Sequence, residues 1–333
     1  MGITIKQLSE LSGYSTATIS RVILNKPNVK EKTRREIEKL LLQYHYRTNV
    51  MELRENRKYI RTIMVIIGDL MNWYYIRILE ILYQKTAEQG YGIMIGFTNN
   101  DVSKEKELAE SAIAQGYAGL IFMNVMGKDE LAQILKESAF PVVFLNRGIP
   151  HHYFNTVTND NYQGGFQATE CLIRMGHRKI GHLAGGFFSE TALERCRGYE
   201  DAMKSNGIVI TKNNIFQGNI DYESGYAFGE RTLKKGLDFT ALFISSYQMT
   251  MGVIDCFLSY GVRIPQDISI ITFDETIGMK RHKISTICAE PEKMGQTAVD
   301  LLLRQISTSS IKAEKVQLEP VLNLRESIRN LSR

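Results

Sequence analysis

From residue 62 to the neighbourhood of Asp274, uninterrupted apolar runs alternate with amphipathic segments, and this alternation restricts the chain to folds built on parallel sheets. The runs TIMVIIG, YGIMIGF, AGLIFMN and PVVFL are separated by helical periodicity near 74–89, 104–115 and 129–138. A second series follows: a helix near 161–175, KIGHLAG, a helix near 190–206, a short strand around Ile215, a helix near 223–235, TALFIS, a helix near 248–260 and ISIITFD. An apolar run without alternation needs cover on both faces, which helices flanking a parallel sheet supply. Two series predict two lobes. Ligands of open parallel sheets bind beyond the carboxyl ends of the strands. A cleft between the lobes should therefore be lined by residues 69–75, 98–101, Asn124, Asn146, Arg147, 185–189, 245–248, Asp274 and Glu275.

The first 45 residues follow another pattern. TIKQLSELSGYSTATISRVILN, residues 4–25, reads as two short helices joined by a turn at Ser12-Gly13. Thr4 is placed to cap the first, with Gln7 reaching back, and Ile5, Leu8 and Leu11 recur along one side. Ser15 is placed to cap the second, whose apolar face is Ile19, Val22 and Ile23, while Thr16, Ala17, Ser20 and Arg21 project from the opposite side. A third helix is predicted over 31–44, with Ile37, Leu40, Leu41 and Tyr44 at i, i+3, i+4 and i+7. Three such faces close one small core, a pattern any three-helix bundle shares. The outward row on the second helix also has the spacing to enter a DNA groove.

Charge favours DNA. Up to Arg61 there are thirteen Lys or Arg against six Glu, a net of +7, whereas the whole chain carries +5, so the remainder is about −2. Phosphate neutralisation with counterion release drives nonspecific duplex affinity, and a basic end on an acidic body keeps that attraction local.

With 333 residues, 44% hydrophobic and 23% charged, the chain can bury a large core in two or three domains. It begins directly with capped amphipathic helices and nowhere has 18 consecutive apolar residues, so neither export nor membrane spanning is expected. Cys171, Cys196, Cys256 and Cys288 are scattered without a CxxC pair, which fits reduced thiols filling a core in a cytoplasmic protein.

TIKQLSELSGYSTATISRVILN followed by Val29, Thr33-Arg34 and Tyr46, then Asp160-Asn161, Gly176-His177-Arg178, Arg195 with Gly198-Tyr199, Ile264-Pro265 with Asp267, Phe273-Asp274 and Leu324-Arg325-Glu326-Ser327 occur in one order along the chain. Together they resemble the lactose-repressor family of bacterial transcription regulators over essentially the full length. The resemblance implies an all-α helix-turn-helix headpiece (1–45), a hinge or linker (46–61), and an α/β sensor of two parallel-sheet lobes, similar to periplasmic binding proteins (62–333). The lobes expected are 62–160 with 290–321 and 161–289 with 322–333.

The resemblance also implies roles. The second helix lies in the major groove, where Thr16, Ala17, Ser20 and Arg21 face base edges. Arg21 has the fork geometry to take guanine O6 and N7 together, a pairing that discriminates by about 1–3 kcal/mol, and Ala17 offers a methyl suited to thymine. Thr4, Ser15, Thr18, Thr33, Tyr46 and Asn49 match positions that hold phosphates, and Ser20 matches one as well. The plainer reading is local capping for each Ser or Thr and a surface salt bridge for Arg21. The hinge departs from the family, which carries a proline there and a leucine that wedges into the minor groove and kinks the duplex. Aligned on Asn49, the proline is replaced by Thr48 and the leucine position falls on Glu55, with Glu52 a second charge. Leu53 lies two residues earlier, about 200° around a helix. Reduced or absent wedging is expected.

In the sensor, Tyr74 and Tyr75 stand where the family commonly has two aromatics, whose faces can pack on a sugar ring. Trp73 stands where proline is common and is expected to close one side of the cleft. Arg195 and Asp274 align with an effector-contacting arginine and carboxylate, a charged donor and acceptor suited to a polyhydroxylated ligand. Asn146, with Arg147 beside it, marks another polar contact, and Asp69 follows the first strand. Ser246-Tyr247 replace the usual Asn/Thr-Asp pair, which removes one hydroxyl acceptor. The competing reading makes Trp73 and Tyr74 lobe core and pairs Arg195 with Glu194 or Glu190.

The expected partners are a pseudo-palindromic double-stranded operator, a small effector with a sugar favoured, and a second copy of the chain; no leucine heptad follows Ser327 to extend a dimer into a tetramer. Contact between copies is expected near 74–89 and 223–260. The effector shifts lobe arrangement and hence the fit of two headpieces to half-sites about one helical turn apart, with release by inducer favoured. No enzyme, cofactor or metal is expected: GxxxxGK[ST], GxGxxG after a strand, HExxH and GxSxG are absent, and His151-His152 have no metal-spaced neighbours. His177 after Gly176 reads as structural, and Asp274-Glu275 as an acid pair without a nucleophile. The alternatives are a sugar-binding sensor without a DNA role, or a regulator that responds to a non-sugar metabolite.

Overall fold

The computed structural model describes residues 5–23, 29–43, 60–70, 72–123, 125–127, 129–149, 151–186, 189–308 and 313–332. Internal contacts divide the chain into Met1–Ile60 and Arg61–Arg333.

In the first unit, α1 (Ile5–Ser12), α2 (Thr16–Ile23) and α3 (Glu31–Gln43) enclose Leu8, Ile19, Val22 and Ile37, each at most 5% exposed, with Ile5, Tyr14, Val29 and Leu40 packed against them. Gly13 turns the chain between α1 and α2 at φ +71°, a conformation that side chains with a Cβ disfavour, and its N–H donates to Ser9 O. The Tyr14 hydroxyl donates to Glu36 and ties this turn to α3. Leu11, expected on the buried side, is 58% exposed. Each i+3 step lags a full turn by about 60°, so by the third residue of the row Ile5, Leu8, Leu11 the side chain has left the buried face. Thr4, Tyr44 and the side chains of Ile23 and Leu41 lie outside the described residues.

The second unit holds two six-stranded sheets. The first has the order β11-β5-β4-β3-β1-β2, from β1 (Ile60–Ile67), β2 (Gly92–Phe97), β3 (Tyr117–Met123), β4 (Val142–Leu145), β5 (Asn155–Asn159) and β11 (Lys315–Leu318). The second has the order β12-β10-β9-β8-β6-β7, from β6 (Ile180–Ala184), β7 (Ile215–Gln217), β8 (Ala241–Ile244), β9 (Ser269–Phe273), β10 (Ser285–Cys288) and β12 (Val321–Asn323). Parallel pairing sets Val65 beside Ile95 and Val143 beside Asn155; β12 alone among the paired strands runs antiparallel, with Leu322 against Ile287. Residues Ile63 to Ile67 are all buried, as a strand covered on both faces requires.

The helices fall within two residues of the expected bounds: Trp73–Glu88, Val102–Gln115, Asp129–Ser138, Asn161–Arg174, Glu190–Ser205, Tyr222–Lys234 and Tyr247–Ser259. Sequence periodicity did not mark β5, β10, β11, β12, Ile277–Arg281 or Pro291–Ser307. The polar strand NTVTN shows why. Asn155 is 3% exposed because its side chain donates to Gln305 Oε1 and accepts from the Glu314 N–H, while Asn159 accepts from the Ala289 N–H. Partners from distant segments meet both polar atoms of Asn155 and the Oδ1 of Asn159, whose Nδ2 stays buried without a partner among the described residues, so no apolar run is needed.

Two helix pairs cross at paired glycines. A Cβ on Gly165 would lie 2.1 Å from Arg195 O and one on Gly198 2.2 Å from Tyr162 O; Gly225 and Gly252 stand in the same relation, 2.0 Å from Met249 O and 2.1 Å from Tyr222 O. Only hydrogen fits. The first crossing brings Glu190–Ser205 onto Asn161–Arg174 and so carries Arg195 to the ends of the second sheet.

All four cysteines are buried free thiols. Among the described residues, no helix is long and apolar enough to cross a membrane.

Candidate functional site

On α2, the buried underside formed by Ile19 and Val22 leaves Thr16, Ala17 and Arg21 exposed and Ser20 partly exposed. Ser15 caps the helix: the Thr18 N–H donates to its Oγ at 3.1 Å, and the two hydroxyls lie 2.8 Å apart. Thr33 is partly exposed in the first turn of α3, and exposed Lys6, Lys30, Lys32 and Arg35 add positive charge to this unit. Arg21 makes no ion pair among the described residues. Thr4, Tyr46, Asn49, Leu53 and Glu55 lie outside them.

In the second unit a cleft of about 260 Å³ opens between the two sheets. One wall comes from the first sheet: Asp69 beyond β1, Asn100 beyond β2, Met126 beyond β3, and Asn146 with Arg147 beyond β4, joined by Asn72, Tyr74 and Tyr75 at the start of Trp73–Glu88. The other comes from the second sheet: Ser189 and Thr191 after β6, Asn219 and Ile220 after β7, Ser246 and Gln248 after β8, Asp274 after β9, and Arg195 from its helix. Asn100, Asn146, Ile220 and Asp274 all have positive φ, between 59° and 73°. Such conformations in non-glycine residues concentrate where structure serves a site.

Arg195 is 8% exposed. Its Nε donates to Asn161 Oδ1 at 2.9 Å, its Nη1 donates to Ser245 O at 2.6 Å, and its guanidinium lies 3.5 Å over the Phe273 ring. These contacts stand in place of the pairing with Glu194 or Glu190 that the competing reading gave Arg195. Asp274 is also 8% exposed, and no described residue hydrogen-bonds its carboxylate. Burial pushes Asp274 up and Arg195 down from their usual ranges, each opposed by the other's charge. Facing them, the Asn146 amide donates to the Tyr75 hydroxyl at 2.6 Å, and burial holds Tyr75 well above the usual phenol range. The Gln248 Oε1 is buried without a partner among the described residues. The cleft thus presents a carboxylate, a guanidinium and amides with little competition from water, which suits a small ligand rich in hydrogen-bonding groups.

Of the candidate ligand residues, Asp69, Tyr74, Tyr75, Asn146, Arg147, Arg195, Ser246 and Asp274 line this one cleft. Trp73 and Tyr247 do not. Trp73 is 58% exposed and lies off the lining; Tyr247 is buried, and its hydroxyl accepts from the Trp73 N–H at 3.1 Å. Glu275 turns away from its neighbour to bind Arg325 at 2.9 Å, with Thr286 as a further donor. Tyr74 is 2% exposed, largely core, and donates to Ala289 O. Met126, Thr191, Asn219 and Ile220 were not anticipated; the strand-end rule would have found Asn219 and Ile220 had it been applied to the short β7. Asn124 lies outside the described residues. His177 is buried between Thr240 Oγ1 and Arg329 O, each 3.0 Å away, a structural position. His152 contacts Asp129, an acid its sequence neighbours did not reveal, yet no group of three or more metal-ligating side chains forms among the described residues.

The family model for bacterial regulatory proteins of the lacI family matches residues 4–49, and that for the periplasmic binding protein-like domain matches residues 169–328. Catabolite control protein A of Priestia megaterium is 28% identical over 330 residues, covering 98% of this chain and 99% of its own. The HTH-type transcriptional repressor PurR of Pectobacterium carotovorum subsp. carotovorum is 28% identical over 333 residues, covering 98% and 96%. The lac repressor dimer bound to operator and the anti-inducer ONPF superposes with a TM-score of 0.72 at 24% identity over 99% of this chain and 100% of that one, a likeness of fold.

Proposed function

We propose, from the premise that this chain belongs to the lacI family of bacterial regulatory proteins and is a DNA-binding transcriptional regulator rather than an enzyme, that it represses carbohydrate-utilisation genes from the cytoplasm and loses operator affinity when a small sugar-like effector occupies the cleft. The observation that carries this reading is the pair Arg195 and Asp274, a buried donor and a buried acceptor at one wall, opposite the Tyr75 and Asn146 hydrogen bond. A polyhydroxylated ligand can meet both at once. The name of the PurR relative supports repression.

In this reading α2 enters the major groove, Arg21 takes a guanine edge, Thr16, Ala17 and Ser20 touch neighbouring bases, and Ser15, Thr18 and Thr33 hold phosphates. Residues 46–61 form the hinge, with Glu55 at the wedge position. A bend-angle measurement on the operator should show little central kink; a sharp kink would remove the hinge proposal. Two copies bind a pseudo-palindromic operator, and exposed Tyr83 on one lobe with Leu258 and Tyr260 on the other supports contact there.

The test is a thermal-shift panel of mono- and disaccharides and sugar phosphates, because a true effector stabilises the folded body according to its affinity. The expected result is stabilisation by one saccharide, abolished by Asp274→Asn, and release of an operator fragment by the same compound. Stabilisation only by a non-saccharide metabolite would keep the regulator and discard the sugar. The feature that favours that second reading is Tyr247, which stands where the family's pair carries its acid and so leaves this wall without that carboxylate.

A further inference from the structure

We propose that Tyr247 is a positioning residue of the cleft, which caps the first turn of Trp73–Glu88 from the opposite lobe and thereby ties the two walls together. The first four N–H groups of any helix lack partners within it. Here the Tyr74 and Tyr75 N–H groups donate to Asn72 Oδ1 at 3.1 and 3.4 Å, and regular helical bonding starts with the Ile76 N–H, which donates to Asn72 O at 3.1 Å. Of the three helical residues whose N–H groups precede that bond, Trp73 is the one that the Asn72 side chain does not reach, and its N–H is met by the Tyr247 hydroxyl at 3.1 Å, 174 residues away in sequence. The cap is completed across the cleft.

Tyr247 opens its own helix directly after β8 and is 6% exposed, packed with Leu183, Ile244 and Val253. Its ring is therefore fixed to the second sheet. Burial pushes the phenol up to about 12, so it remains a neutral hydroxyl over the working range. The turn it holds carries Tyr74, whose hydroxyl donates to Ala289 O just after β10, and Tyr75, whose hydroxyl accepts from Asn146. Moving this turn moves the Tyr75 and Asn146 wall relative to Arg195 and Asp274. Tyr247 itself does not line the cleft, so it acts through the geometry it maintains. A bond that stabilises this arrangement before ligand arrives lowers the ordering cost of binding.

The donor can be removed without disturbing the helix. Trp73 occupies the first helical position, where proline is well tolerated because its missing N–H is one of the unpaired donors. The experiment uses the full chain without effector, so its outcome is independent of the sugar reading. Hydrogen exchange at the Trp73 amide should accelerate about tenfold or more in Tyr247→Phe, while the Tyr74, Tyr75 and Ile76 amides, capped by Asn72, keep their protection. Trp73 is the single tryptophan, so its acrylamide quenching should rise in the same variant. In a Trp73→Pro background, Tyr247→Phe should cause no further drop in the sensor's melting temperature. Unchanged Trp73 exchange in Tyr247→Phe, or an equal drop in melting temperature in both backgrounds, would overturn the proposal.

Discussion

In the headpiece, Leu8, Ile19, Val22 and Ile37 form the buried core, and the residues proposed to read DNA sit on the reverse side of α2, one of the helices that builds it. In the sensor, three large clusters support two sheets, and the cleft is assembled from strand ends spread between Asp69 and Asp274. The headpiece therefore keeps its candidate groups exposed on one local element, whereas the sensor buries its charges in a space that no single element defines. The contrast separates two modes of failure: loss of a small core should silence DNA binding alone, and loss of a buried charge should silence ligand binding alone.

The largest expected effect tests that separation. Leu8→Ala removes one of the four buried core side chains among the described residues and should cost about 2–5 kcal/mol, enough to unfold the headpiece. Gel shifts on any duplex should then fail while the sensor's melting temperature stays within a degree of the parent. A joint collapse of both units would break the comparison.

Next comes acid. His182 is fully buried between Phe243 and Tyr199, its Nδ1 meets Phe243 O, its Nε2 has no partner among the described residues, and burial lowers its pKa from 6.5 to about 4. The unfolded chain takes up this proton first, so stability present above pH 6.5 is lost as pH falls toward 4, by about 3 kcal/mol at most. His182→Phe should flatten that stretch of the sensor's stability curve, measured by urea unfolding between pH 7 and pH 4. A curve of unchanged slope would place the acid sensitivity elsewhere.

Arg21→Ala should weaken operator binding by about 1–3 kcal/mol and random-duplex binding by much less, read by fluorescence anisotropy at fixed salt. Equal losses on both would leave Arg21 a phosphate contact only. The smallest effect belongs to Ser15→Ala, about 1 kcal/mol from the lost cap. It should appear in headpiece melting, and a full loss of operator affinity without destabilisation would promote Ser15 from cap to essential DNA contact.

The differences between expectation and structure have specific causes. Strands such as TIMVIIG were legible because a buried parallel strand must be apolar throughout; NTVTN was not, because its asparagines take hydrogen-bond partners in Gln305, Glu314 and Ala289 from distant segments. The strand-end rule located Asp69, Asn146, Ser246 and Asp274, since their place follows from chain order along a sheet. It could not distinguish Tyr74, which is mostly core, from Tyr75, which meets Asn146. Nor could it foresee that Trp73 faces solvent or that Glu275 pairs with Arg325.

Local periodicity, capping chemistry and the sign change in charge were enough, from the sequence alone, to divide the chain into a basic three-helix end and a two-lobed α/β body, because hydrogen bonding and burial over a few residues decide those features. The tertiary structure decided which strand-end groups share one cleft, that Arg195 reaches it through the Gly165 and Gly198 crossing, and that Tyr247 caps a helix of the opposite lobe. Those outcomes depend on contacts between residues far apart in the chain, whose distances are set only when the sheets and helices pack.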